Sequence, residues 1–532
     1  MFFCLGILLW SCAYGLGIDQ APPQLMAPQL VLNSNPDAPL SAILSFKTNE
    51  PAIAALEING VGGIFPEQTL RTFHRFPVLG LFPGAANMVR VSLADATGNI
   101  SNSAAQFEIV APPLPPDFPP VKATVSKPFR MEPGVTLFNV QWNRQPTTGW
   151  LIAVNSEGRV VWYYRTGRPI GPVWRTKAGT LLYLDDRDAV EIDMLGNILG
   201  RWHPSGLGTP SVSSTDTLVQ ANVFHHDISE LPNGNFLTLS NEVRTFDGYP
   251  SSETNAMASK GAASVVGDVV VEFTRAGEIV KEWHLLDILD PYRIRYDSLS
   301  GQFDAFYRPF APTRDWSHGN SISYNAGDDA YVISMRHQDA VVKIDRNTGK
   351  LKWIFGEPDG WQFPWSNQTF HAVGALNWPY HQHAARITSE GRLLMFDNGN
   401  YQAGPFEAKR ATPESYSRAV EFRIDEANLT ASESWSYGGP ADEQFYSPAL
   451  GNAERMPITG NILFTDGAKS TDEFGKPTDA NARRWARVVE VTNTTPAEKV
   501  FELVIGDPSQ PSNIVWTVYR GSHLDSFYSR PR

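Results

Sequence analysis

The chain has 532 residues, 42% hydrophobic and 19% charged, a balance that suits a folded globular protein with more than one ordinary domain. A formal net charge of -12 and a pI near 5.4 exclude the clustered Lys and Arg footprint of a nucleic-acid binder. In such an acidic shell, any anionic substrate needs a local pocket of positive charge.

Residues 1–17 contain no Asp, Glu, Lys or Arg and are almost wholly apolar. The run is short for a bilayer span and reads as a secretory signal peptide, with Gly15 and Gly17 as small residues before a cut. It lacks a basic start, so a buried N-terminal strand is the alternative. Lipid anchoring through Cys12 is a variant reading. Cys4 and Cys12 are the two cysteines, both in this leader, so a mature chain offers no disulfide, thiolate nucleophile or thiolate metal ligand. No later apolar run reaches membrane-spanning length.

From residue 18 to 110, short alternating segments such as LSAILSFKTN and NMVRVSLADATG predict the strands of a β-sandwich. The stretch APPLPPDFPP, residues 111–120, carries six prolines in ten residues and cannot pair in a sheet. It is expected as a stiff linker and domain boundary.

Beyond it the chain repeats itself. AVEIDMLGNILGRW (189–202), VVEFTRAGEIVKEW (270–283) and VVKIDRNTGKLKWIFG (341–356) are the clearest copies; weaker ones occupy 151–164, 420–435 and 488–503. Each is strand, turn and strand, and most follow another strand such as GNFLTLS, DAYVISM or GRLLMFD. Six such units predict a six-bladed β-propeller over residues 121–532, in an all-β protein. A Ser, Gly and Ala rich insertion at 243–268 is expected as a loop over one face.

When the strands are aligned on Ser240, Ser334 and Asp397, His226 lies fourteen residues before the first and His383 fourteen before the last. His318 lies sixteen before Ser334, as if its turn held two extra residues. Three repeats thus put a histidine at one slot, and equivalent slots of a propeller face a common axis. A lone histidine in a strand is usually structural, but the other repeats lack one here, so blade packing does not account for it. His225, Asn320, Arg336, His337 and His381 lie close by in sequence. Three histidines suit zinc or copper. The guanidinium of Arg336 at the same mouth, with Asn320, better suits a tetrahedral oxyanion such as sulfate or phosphate.

The segments HHDISELPNGNFL, SHGNSISYNAGDDAYVISMRHQDAVVKIDRNTGKLKWIFG and HQHAARITSEGRLLMFDNGN closely resemble the bacterial arylsulfate sulfotransferases. So do the N-terminal PVLGLFPGAANMVRVS and the order of domains, and the likeness covers nearly all the chain after the leader. The resemblance implies a periplasmic enzyme with a six-bladed propeller, commonly a homodimer, using no metal, nucleotide donor or other cofactor. It implies an aryl sulfate donor and a phenolic acceptor, in ping-pong transfer through a sulfohistidine. By motif match the sulfurylated residue is His383, and the sulfate-holding residues are His318, Asn320, Arg336 and the HHD motif, with His226 preferred over His225. The chain departs from those members that carry a propeller disulfide, having no cysteine there. Alternatives are a hydrolase of aryl sulfates or phosphodiesters on the same scaffold, a non-catalytic ligand-binding propeller, and a histidine-ligated metal oxidoreductase.

Overall fold

The structure is a computed structural model, described here for residues 20–64, 69–142, 148–186, 188–206, 213, 215–440, 442–479, 481–509, 511 and 514–528. The leader and both cysteines lie outside the described residues. The fold is all-β: the α-helix among the described residues is the single turn Leu285–Ile288. No helix there is long and apolar enough to cross a membrane.

The strands among the described residues form seven sheets. The first has six strands and is organised by Ser41–Ile58, a strand of 18 residues. Its first half pairs with Leu25–Leu32 and Arg71–Leu79, its second with Val61–Ile64 and Ala86–Asp95, and the last of these carries Ile100–Val110. The unit expected as a sandwich is thus one hydrogen-bonded network. Alternation along the long strand turns Ala42, Leu44, Phe46, Ala54 and Leu56 inward. These side chains share an apolar cluster with Trp150 and Leu503 of later sheets, so the first sheet is packed on the rest. The proline stretch after it is docked, with the Phe118 ring 5.2 Å from Trp150 and 5.3 Å from Tyr163.

Six sheets follow, each built on an antiparallel meander. Sheet two takes its short strands Trp516–Thr517 and Gly521–Leu524 from the C-terminal end of the chain, and they pair with Val135–Trp142. Sheet seven takes Val121–Ser126, which pairs with Lys499–Ile505. The two ends of the repeat region therefore hold each other's sheets. One edge strand from each of sheets three to six lies against the next in order: Ile170–Arg175, His225–Glu230, Gly319–Asn325 and His383–Ile387. This brings residues distant in sequence to one place. The turns of the repeats use Gly196 and Gly277 at φ +80 and +85, where a side chain would be strained.

The insertion at 243–268 is corrected by the structure. Phe236–Tyr249 and Gly261–Phe273 form a long hairpin, paired out to Tyr249 and Gly261, and only the tip is loop. Val265 and Val266 are buried against the neighbouring segments, so ordinary strand pairing continues where small residues had suggested a loop. The Glu253 carboxylate at the tip accepts the backbone N–H groups of Asp297 (3.1 Å) and Leu299 (2.8 Å).

Candidate active site

At the starts of sheets four, five and six the ladders slip. Register shifts fall between His225 and Ile228, Gly319 and Ser321, and His383 and Arg386. His226, His318, His381 and Ala384 hold φ between +47 and +62, a region that residues with a side chain seldom occupy. Such bulges turn side chains out of a sheet face, here towards a cavity of about 370 Å³. Its walls include His226, His318, His383, Arg336, Tyr519 and Leu450.

The expected common slot does not hold in the ladders: His383 pairs with Phe396 where His225, not His226, pairs with Leu239, and His226 and Ala384 are the bulge residues with positive φ. His226 and His383 nevertheless both line the cavity. His318 precedes its strand, and Ser321 is the residue that pairs with Ser334. The two extra residues are a separate approach segment, and His318 reaches the cavity from it. Its ring centre is 4.8 Å from that of His226.

His383 is held in one tautomer. Asn398 Nδ2 donates to the carbonyls of Ser447 (2.8 Å) and Leu450 (2.9 Å), so its Oδ1 must face His383 Nδ1 at 2.7 Å. Nδ1 therefore carries the hydrogen, and the Nε2 lone pair is left to the cavity side. There it meets the Leu450 N–H at 3.3 Å. Burial, then the charge of Arg336, hold the His383 pKa well below the ordinary histidine value, so the ring is neutral.

His226 is also held neutral, by burial first and then by His318 and His225, although part of its ring opens to the cavity. The Nδ1 atoms of His225 and His226 share a hydrogen at 2.8 Å. His318 donates from Nδ1 to Asp315 Oδ2 at 2.6 Å. His337, lining the same cavity, stacks on His318 at 4.3 Å and donates to the Asp315 carbonyl at 2.7 Å. Burial, His318 and Arg336 keep it neutral too.

Arg336 follows its strand in a tight turn and is only loosely engaged, 3.4 Å from Asp297 Oδ2 and 3.3 Å from the Pro448 carbonyl. Asn320 does not line the cavity. It is fully buried, its Nδ2 donating to the Gln382 carbonyl at 2.7 Å, while its own carbonyl accepts Arg520 Nη2 at 2.8 Å. His381 is held at Nδ1 by Asp339 at 2.8 Å, and the Asp297 carboxylate stands 3.3 Å from its Nε2 as a charge partner without hydrogen-bond geometry.

Among the described residues, Asp315, His318 and His337 have the mutual spacing of a metal cluster. Their arrangement does not favour one. The two rings are nearly parallel, at 27°, so their in-plane lone pairs cannot converge on one ion, and both Nδ1 atoms turn to Asp315.

Asn398, Asp315, Asp297, Tyr519 and Arg520 escaped the reading of the sequence. Asp315, three residues before His318, was open to a search for carboxylate partners. Tyr519 and Arg520 carry no repeat signal, because the chain end joins the first of the six meanders.

The arylsulfotransferase (ASST) family profile matches residues 121–514. The chain belongs to the arylsulfotransferase family. Its reaction class is therefore transfer of a sulfuryl group from an aryl sulfate. The arylsulfate sulfotransferase AssT of Escherichia coli is 24% identical over 93% of this chain and 95% of that protein. The arylsulfate sulfotransferase AssT of Lelliottia amnigena is 29% identical over 46% of this chain and 48% of that protein. Solved structures align loosely. Kuenenia stuttgartiensis hydrazine synthase gives a TM-score of 0.30 at 10% identity, over 62% of this chain and 64% of that one, a likeness that carries no argument.

Proposed function

We propose that the chain moves a sulfuryl group from an aryl sulfate to a phenol in two half-reactions, with His383 as the carrier. In the first, His383 Nε2 attacks sulfur, the S–O bond to the aryl oxygen breaks, and the phenolate leaves. In the second, the oxygen of an acceptor phenol attacks the same sulfur and the S–N bond breaks. The observation that carries the reading is the Asn398 lock, which puts the hydrogen on Nδ1 and turns the Nε2 lone pair of a neutral ring to the cavity side, where a long 3.3 Å contact from the Leu450 N–H is its partner. Arg336 holds the sulfuryl oxygens, and its loose engagement by Asp297 leaves its hydrogens for substrate. His226 and His318 serve the aryl oxygen. Asn320 supports this site through the Gln382 carbonyl, next to His383.

The scaffold we propose is a six-bladed β-propeller over residues 121–532. Six successive meanders and the exchange of end strands support it. We also read residues 18–110 as a β-sandwich domain packed on the propeller, with 111–120 as the connection. The resemblance further supports export to the periplasm after loss of residues 1–17, and a homodimer.

The test is intact-mass measurement after 4-nitrophenyl sulfate alone. One added sulfuryl group, mapping to His383, is expected. A label on His318 or His226, or none with continued turnover, refutes the carrier.

A further inference from the structure

His225 does not line the cavity, yet it is bonded at both ends. Its Nε2 faces two acceptors, Asp268 Oδ1 at 3.2 Å and the Ser240 carbonyl at 3.0 Å, so it must carry a hydrogen. Its Nδ1 meets His226 Nδ1. Asp268 is fixed in turn: its Oδ2 accepts Ser317 Oγ at 2.5 Å and the Gly319 N–H at 2.6 Å. A β-carbon on Gly319 would come within 2.8 Å of that carboxylate, so only glycine fits. Burial would raise the Asp268 pKa, but His225, Ser317 and Gly319 outweigh it and the carboxylate stays charged. The row Asp268, His225, His226, cavity is thus continuous, and one hydrogen between two Nδ1 atoms can sit on either.

Building on the sulfohistidine reading, we propose that His225 and Asp268 are positioning residues that store the proton exchanged between the two half-reactions. In one state His225 is neutral. His226 then holds the shared hydrogen on Nδ1 and presents a bare Nε2 to the cavity. In the other, His225 is an imidazolium paired with Asp268, and His226 presents Nε2–H.

When an acceptor phenol attacks the sulfuryl group, its O–H bond breaks and His226 Nε2–H forms. His226 Nδ1–H breaks and His225 Nδ1–H forms, while the S–N electron pair returns to His383. When a donor is cleaved, the sequence reverses and the proton leaves on the departing phenol oxygen. His226 is neutral in both states, which fits its depressed pKa.

The groups around this row are few. His318, backed by Asp315, and His383 face His226, as do Tyr519 and Arg520. Asp227 is taken by Arg520 at 2.8 Å and by Trp174 at 2.9 Å. Against His225, besides Asp268 and His226, stands the ring of Phe303.

The test is His225→Gln, which can hydrogen-bond His226 but cannot carry a proton. Two donors are compared: 4-nitrophenyl sulfate, whose phenolate leaves unaided, and phenyl sulfate, whose phenolate has a pKa of ~10 and needs a proton. Loss of about 10²-fold in the phenyl sulfate half-reaction is expected, the usual worth of a positioned proton donor. The 4-nitrophenyl burst should stay within about threefold, since general acid catalysis matters little there. Equal slowing of both donors, or of neither, overturns the relay.

Asp268→Asn supplies a second reading if His225→Gln does not fold. Without the carboxylate's charge beside the imidazolium state, the alkaline limb of the phenyl sulfate half-reaction should move to lower pH. An unmoved limb overturns the relay. Mass measurement on the same samples separates the two claims. His383 still labelled with equal slowing sinks the relay alone, and a wild-type label elsewhere sinks the carrier and the relay with it.

Discussion

Two strand starts carry paired histidines, His225–His226 in sheet four and His381–Gln382–His383 in sheet six, and their partners differ. In sheet six, His381 stands between two carboxylates, hydrogen-bonded to Asp339 and paired by charge with Asp297, while His383 is served by the uncharged amide of Asn398. In sheet four, one histidine leans on the other, and the carboxylate stands one step back. Burial does not separate structural from reactive rings, since His381 and His383 are both almost fully buried. The partners of each ring nitrogen do. Carboxylates at both ring nitrogens hold His381 by charge, whereas an amide at one nitrogen of His383 leaves its other lone pair to a single weak backbone contact on the cavity side.

The largest expected break of this comparison is His383→Ala set beside His381→Ala. The first should abolish phenol release from donor alone while the protein stays folded, read by burst kinetics and thermal unfolding. The second should lower stability by about 2 kcal/mol, the range for a buried hydrogen bond to a charged group, read by chemical denaturation. If His381→Ala alone stops sulfuryl uptake in a folded protein, the roles are reversed.

Arg336→Lys keeps charge but loses the planar fork that grips two oxygens. Turnover should fall about 10²–10³-fold, measured as kcat/KM for donor. Wild-type turnover there would remove Arg336 from the sulfate grip.

Asn398→Ala should slow the burst about 10–100-fold, the scale for outer partners that fix a histidine tautomer. Donor affinity should change little. A purely structural Asn398 would show itself as lost stability with an unchanged burst.

The smallest effect concerns pH. A lowered His383 pKa leaves the ring neutral well below the ordinary ~6.5. Protonation removes the nucleophile only at still lower pH, so the 4-nitrophenyl sulfate burst should hold between about pH 7 and 6. A fall centred near the ordinary value would contradict the depressed pKa.

The amino-acid sequence by itself determined the all-β class, the six strand–turn–strand units and the candidates His226, His318, His383 and Arg336, because strand alternation, turn glycines and family motifs are local patterns. It misread the 243–268 hairpin, since small residues weaken the strand signal while pairing across the hairpin overrides it. It placed His226, His318 and His383 in one slot, whereas the ladders match His383 to His225 and leave His318 before its strand, because a bulge leaves no mark that residue counting can see. The Asn398 lock, the Asp268–His225 row and the approach of Tyr519 and Arg520 were decided only by the tertiary structure. Each joins atoms from different strands or sheets, and a hydrogen bond depends on distance and direction in space rather than on separation along the chain.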